Sequence, residues 1–408
     1  MTKLDELIQE FCPDGVKYLP IPELFITRNG YTPSKANNEF WENGTIPWFR
    51  MEDIRENGRI LTTATQYVSE KAVKGKLFPA DSIIIATSAT IGEHALIKVP
   101  SLANQRFTYL TLKDEFKDCV DMMFVFYYCF RLDEYCKSHL NQGNFASVDM
   151  KQFAAFKFPV PPLPVQREIV RILDNFTELT AELTAELTAE LTARKQQYAY
   201  YRNKLLKKNT KAIKMEFGDM FNFQNGFAFK SRLFKKSGNA ILRIANIKEN
   251  QISTDNLAFF DEADYKEDLS QYIVRQSDIV IAMSGATTGK IGVNVTPFNF
   301  YLNQRVGKFI PKENIILNRY LYHLLLQMSG EIYAISEGGA QPNLSSEKLK
   351  KLTAYIPPIS EQKRIVKVLD RFDTLCTDLS SGLPAEIEAR QKQYEYYRDK
   401  LLSFEEKI

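Results

Sequence analysis

The sequence predicts an α+β chain with two similar mixed α/β globular units. A long antiparallel two-helix coiled coil separates them with pseudo-twofold symmetry. Three observations predict this. First, the 408-residue chain matches itself: Gln166 lies over Gln362, and residues 169–206 align without a gap on 365–402, with 20 of 38 positions identical. Such self-similarity marks an internal duplication. Second, the same offset of 196 places Ile83-Ile84-Ile85-Ala86-Thr87-Ser88 over Ile279-Val280-Ile281-Ala282-Met283-Ser284. Short apolar β-branched runs of this kind read as buried strands. Third, leucines recur at 179, 183, 187 and 191 through three successive Thr-Ala-Glu-Leu units. Ala, Glu and Leu favour helix, and the fourfold spacing gives one apolar face.

In chain order, residues 1–160 form the first globular unit and 164–207 a spacer helix. Residues 210–357 form the second unit and 360–403 the second spacer helix. Pro159, Pro161, Pro162 and Pro164 punctuate one junction, Pro357 and Pro358 the other, because proline disfavours helix in the residue before it. In the first helix Ile169, Leu173 and Phe176 extend the leucine stripe on one side, and Tyr198, Tyr201 and Leu205 on the other. The second carries Leu369, Phe372, Leu375, Leu379, Leu383 and Ile387, then Tyr394 and Tyr397, at matching positions. Two such stripes are expected to cover each other. A helix of ~43 residues spans ~65 Å, enough to act as a spacer. Gly382 and Pro384 predict a break or kink in the second copy. Elsewhere the offset drifts: Phe49-Arg50 lies over Leu242-Arg243, and Asn104-Gln105-Arg106 over Asn303-Gln304-Arg305. Shared strands with drifting offsets mean one scaffold with altered loops.

Composition narrows the function classes. The chain is 44% hydrophobic and 25% charged, ordinary for a soluble folded protein. It has no apolar run of ~18 residues and no apolar leader after Met-Thr-Lys-Leu-Asp-Glu. Cys12, Cys119, Cys129, Cys136 and Cys376 include no C-x-x-C pair and read as free thiols in a reducing cytoplasm. A net charge of +3 is a weak basic footprint, so nucleic-acid contact must rest on local patches. The segment from Gly285 to Lys290 has three residues between its glycines and ends in Lys290-Ile291. It therefore fails the phosphate-loop spacing and lacks the magnesium-binding hydroxyl. Its small residues suggest a tight loop instead. His94, His139 and His323 stand without metal-ligand spacing. Val160 and Ile356 precede the two Pro-Pro pairs, so neither forms the Asn- or Asp-Pro-Pro-aromatic motif of adenine methyltransferases. The expectation is a chain with no catalytic residue, no metal site and no cofactor of its own.

The paired triplets Asn104-Gln105-Arg106 and Asn303-Gln304-Arg305 carry side chains able to contact bases or phosphates. Because both halves share them, while readers of different sequences should differ, positioning is assigned to them rather than base readout. Arg50 and Arg243 receive the same assignment. Thr87 and Ser88 after the first strand, and Ser284, Thr287 and Thr288 after the second, lie on the candidate DNA-entering loops. Lys74, Lys76, Lys230 and Lys290 are candidate phosphate contacts.

Taken together, these pieces resemble the specificity subunit of a type I restriction-modification system, over essentially the whole chain. The resemblance rests on 47–54 (Pro-Trp-Phe-Arg-Met-Glu-Asp-Ile), 284–292 (Ser-Gly-Ala-Thr-Thr-Gly-Lys-Ile-Gly), 302–305 (Leu-Asn-Gln-Arg), the Pro-Pro helix starts and the Tyr-Tyr-Arg-x-Lys-Leu-Leu helix ends. The Thr-Ala-Glu-Leu repeats resemble the type IC subgroup. The resemblance implies two target-recognition domains reading an interrupted double-stranded DNA site. It also implies helices that dock two methyltransferase subunits, and restriction subunits beyond them. S-adenosylmethionine, ATP and Mg²⁺ would be used by those partners, and no membrane is involved. A coiled-coil adaptor joining two protein-binding domains without DNA contact is the competing reading.

Overall fold

The computed structural model describes residues 2–141, 146–207, 211–248, 250–336, 342–377 and 382–407. The chain forms two compact units: Met1–Leu183 with Ala389–Ile408, and Thr184–Glu388.

In the first unit a five-stranded sheet runs in the order Phe25–Asn29, Phe107–Leu112, Ser82–Ala86, His94–Ile97, Ile60–Leu61. Ile83 and Ile85 pack beneath the helix Met122–Ser138, while Ile84 and Ala86 face a second core with Trp48, Phe49 and Leu102. Burial on both faces explains why this strand is a continuous apolar run rather than an alternating one. Its smaller neighbour sheet comprises Tyr67–Val68, Ile46–Phe49 and Leu102–Ala103.

The second unit repeats the plan. Its six-stranded sheet runs Phe221–Asn225, Val306–Pro311, Ile279–Ala282, Ile291–Val293, Gln251–Ile252, Ile247–Lys248. Ile279 and Ile281 meet the helix Asn318–Gln327, while Val280 and Ala282 face a separate core with Leu242 and Leu302.

The first long helix is continuous, Leu163–Leu205. Gln166, fully buried, anchors its start. Its Nε2 donates to Pro161 O (2.6 Å) and Cys119 O (2.8 Å), and its Oε1 accepts from Asp121 N–H (2.8 Å). Gln362 does the same in the second unit, donating to Pro357 O (2.9 Å) and Ile315 O (2.8 Å) and accepting from Leu317 N–H (2.9 Å). The second long segment is described as two helices, Ile359–Thr377 and Leu383–Leu401, on either side of 378–381. Leu379 lies outside the described residues.

Each unit's helical layer draws on both repeats. In the first unit Phe176 stacks on Tyr397 at 6.0 Å, and Thr177 Oγ1 shares a 2.9 Å hydrogen bond with Tyr394 OH. In the second, Phe372 stacks on Tyr201 at 5.4 Å. Phe176 corresponds to Phe372, and Tyr397 to Tyr201, so one contact recurs with the repeats exchanged. Leucines of the repeat are buried unevenly: Leu187 is 8% exposed, Leu183 and Leu191 are half-buried, and Leu179 is 62% exposed. Leu375 is half-buried.

A polar cluster fastens the helices of the second unit. His323 Nε2 lies 2.8 Å from Asp370 Oδ1, and Nδ1 lies 2.7 Å from Tyr198 OH. A carboxylate only accepts, so Nε2 carries the proton and bare Nδ1 accepts from the phenol. The neutral ring satisfies both partners. Burial lowers the His323 pKa, against the opposing pull of the Asp370 hydrogen bond. Burial alone would raise Asp370, but hydrogen bonds from His323 and Arg319 more than offset it and hold the carboxyl below its ordinary value. The first unit places Tyr127 where the second has His323, and its hydroxyl donates to Asp174 (2.7 Å).

Candidate nucleic-acid interface

The parallel strands Ile46–Phe49 and Leu102–Ala103 end side by side. This brings Arg50 next to Asn104, whose N–H donates to Phe49 O (3.0 Å). Asn104 Oδ1 accepts from Arg106 N–H (2.9 Å) and bends the chain outward. Arg106 O in turn accepts from Thr87 N–H (2.9 Å), and Thr87 O from Val148 N–H (2.9 Å). Ser88 bridges to Ser147. Four loops thus meet at one edge. Gln105 and Arg106 are exposed at its tip, while Asn104, Thr87 and Ser88 are half-buried. The Gln105 side chain meets the Thr32 hydroxyl.

The second unit builds the same edge. Asn303 N–H donates to Leu242 O (3.1 Å), Met283 N–H to Arg305 O (2.8 Å) and Leu344 N–H to Met283 O (2.8 Å). Ser284 bridges to Asn343. Arg243 follows its strand as Arg50 does, and Gln304 and Arg305 are exposed at the tip.

Both arginines are anchored from below. Arg50 N–H donates to buried Asp53 (2.7 Å), and its Nη2 to Thr65 Oγ1 (3.1 Å). Arg243 N–H donates to buried Asn246 (3.1 Å), and its Nη2 to Asn256 O (2.6 Å). The Nε of each is buried without a hydrogen-bond partner. The geometry thus fixes these side chains at the floor of the edge.

Lys74 and Lys76 are exposed on the first unit. Lys74 N–H donates to Tyr31 OH (2.7 Å), and its ammonium lies 5.6 Å from that ring. Tyr31 N–H donates to Ala103 O (2.8 Å), which ties Lys74 to the Asn104 edge. Lys76 O accepts from Arg28 Nη2 (2.8 Å). Exposed Lys230 donates its N–H to Tyr265 OH (3.1 Å).

The loop Met283–Lys290 is tight as expected, with Gly285 and Gly289 both at φ +82°. Its residues divide. Lys290 points outward, but Thr288 is 6% exposed and its hydroxyl lies 2.7 Å from Gly285 O and 2.8 Å from Pro342 O, so it holds the loop closed from within. The hydroxyls of Ser284 and Thr287 are buried without partners.

Sequence reasoning passed over two pairs that shape the edge. Asp53 and Asn246 are the buried acceptors just described. Gly30 and Gly226 admit the triplets: a Cβ would fall 2.2 Å from Asn104 O at Gly30, and 2.0 Å from Asn303 O at Gly226. Their signal was available, since Asn29-Gly30 and Asn225-Gly226 lie one repeat apart.

Among the described residues no cluster of His, Cys, Asp or Glu could hold a metal ion, and no helix is long and apolar enough to cross a membrane. His94 is buried against Asp133 (2.7 Å). All five thiols are free.

A family model described as the type I restriction modification DNA specificity domain matches residues 13–193 and again 209–389. The chain belongs to this family and carries two copies of its domain. It is 43% identical over 388 residues, 90% of each chain, to the Type I restriction enzyme EcoprrI specificity subunit of Escherichia coli. It is 33% identical over 281 residues to the EcoR124I/EcoR124II specificity subunit of Escherichia coli, covering 65% of this chain and 68% of that one. A chain from a structural study of complex assembly and conformational transition in a type I restriction-modification system shares the fold. Its TM-score is 0.66 at 15% identity, covering 96% of this chain and 98% of that one.

Proposed function

We propose that this chain is the non-catalytic specificity subunit of a type I restriction-modification complex and reads an interrupted double-stranded DNA site, one half with each unit. The observation that carries this reading is the duplicated edge. Two frames of backbone hydrogen bonds are matched loop for loop, each with an Asn-Gln-Arg turn and a buried-anchored arginine. A frame held by main chain leaves neighbouring loop side chains free to differ, which a pair of readers for unlike sequences requires. Arg50, Arg106, Arg243 and Arg305 position the duplex, and Lys74, Lys76 and Lys230 contact phosphates. The helical layers dock two methyltransferase subunits, and restriction subunits join that assembly. S-adenosylmethionine, ATP and Mg²⁺ act in those partners, in the cytoplasm.

The test is to reconstitute the chain with its methyltransferase and map methylated adenines on random-sequence DNA. The expected result is one interrupted site. Transplanting 210–357 from a relative should then change one half of it only. Sequence-independent methylation, or a change in both halves, would overturn the reading.

A further inference from the structure

We infer that the second unit holds a phosphate-binding site that the first unit lacks. A cavity of about 360 Å³ is lined by Arg202, Asn250, Thr288, Lys290, Leu326 and Ser329, among others, near the small end of the range for ligand sites. Two cations line it, and no carboxylate does among the described residues. Arg202 lies over the Tyr198 ring at 5.1 Å, with its Nε buried and unbonded. Exposed Lys290 makes no ion pair among the described residues.

The first unit serves as an internal control. Ala86 N–H donates to Glu93 O where Ala282 N–H donates to Lys290 O, so Glu93 stands in the position of Lys290. At the repeat offset, Asp133 takes the position of Ser329, Phe130 that of Leu326 and Arg398 that of Arg202. There the arginine is satisfied: Arg398 pairs with Asp399 (2.9 Å) and lies on Phe130 (4.3 Å). Asp133 binds His94 (2.7 Å) and lies 3.8 Å from Arg59. The space is also closed, since a Cβ on Gly92 would come 2.6 Å from Asp133 O, whereas on Gly289 the nearest atom is 3.8 Å away. Two carboxylates are thus replaced by a lysine and a serine, and the loop stands back from the helix. A pair of cations with no ion-pair partner among the described residues, around an open cavity, calls for an anion, and the arginine fork with a neighbouring ammonium suits phosphate oxygens.

That phosphate could belong to a DNA backbone or to a soluble phosphate compound, and the test separates them. Inorganic phosphate is titrated into the full chain in chloride buffer of constant ionic strength, with ³¹P line width as the readout. The comparison variants are Lys290→Glu and Ser329→Asp, which restore the charges of the first unit at exposed positions. Saturable broadening with at least tenfold weaker binding in both variants is expected. Equal broadening in all three proteins, or none in the parent, would overturn the site. A second arm measures DNA binding against salt in the complex with the methyltransferase. A slope reduced by ~1 in Lys290→Glu assigns the phosphate to DNA, and an unchanged slope with phosphate binding lost assigns it to a soluble compound. The inference stands apart from the recognition reading, because the first arm needs no DNA.

Discussion

Deleting one Thr-Ala-Glu-Leu unit, residues 184–187, shortens the long helix that the proposed reading makes the spacer, while leaving both edges untouched. The helix is continuous through this stretch, and the threonines tie successive units together: Thr188 Oγ1 donates to Thr184 O (2.7 Å) and Thr192 Oγ1 to Thr188 O (2.9 Å). Because the units are identical, the shortened helix keeps a leucine at every fourth position. Four residues remove ~6 Å of rise and ~40° of helical phase. One DNA base pair advances ~3.4 Å and turns ~35° at about 10 pairs per turn. The phase change matches one base pair, while the rise would allow nearly two; an inclined helix delivers less than its full rise along the duplex. The expected outcome is a gap shorter by one base pair with both half-sites unchanged. Adenine methylation mapping of the deletion variant with its partner methyltransferase reads both quantities. Altered half-sites with an unchanged gap would refute the idea that this helix sets the distance.

Gln362→Leu should destabilise the second unit by about 3 kcal/mol or more. It strands one buried N–H and two carbonyls, at ~1–3 kcal/mol for each unsatisfied group; urea unfolding monitored by circular dichroism measures the loss, and Gln166→Leu should behave alike in the first unit. Gly226→Ala should weaken DNA binding while Gly58→Ala, where a Cβ meets nothing within 4 Å but φ is +78°, should cost stability alone; gel shift and thermal melting separate the two. Acid should loosen the second unit's helices. With its folded pKa lowered, neutral His323 contributes stability that is complete above its unfolded value of ~6.5 and falls as pH drops through the folded value. Asp370, also lowered, adds a further loss at lower pH. His323→Tyr, which copies Tyr127 of the first unit, should flatten the melting-temperature profile between pH 7 and 5; an unchanged profile would count against the neutral-ring assignment.

Much of the fold was legible because burial leaves periodic traces. The runs at 83–86 and 279–282 are apolar throughout because each lies between two cores, and the repeat offset pairs them in the sequence alone. Gly382 and Pro384 pointed to an interruption there, and the second of the two described helices starts between them, at Leu383. What periodicity does not carry is the identity of the partner. Nothing in the stripe at Phe176 indicates that Tyr397, more than two hundred residues later, completes its stack in the same unit. Likewise Gln166 and Gln362 served to align the repeats, yet their three hydrogen bonds each depend on loops brought together only by folding. Of the candidate site, the triplets and the two strand-end arginines were legible by recurrence; Asp53 and Asn246 were not, since their residue types differ between the copies.

That difference bears on how such a scaffold can change what it reads. The edge is fixed by main-chain bonds from Asn104, Thr87 and Val148, and from Asn303, Met283 and Leu344. Backbone donors do not depend on the side chain attached to them. Substitutions on the surrounding loops therefore leave the frame intact, whereas changes at Gly30 or Gly226 push directly on a carbonyl of the turn. If this edge reads DNA as proposed, recognition is free to drift where side chains face outward, and is held still where two backbones meet without room for a Cβ.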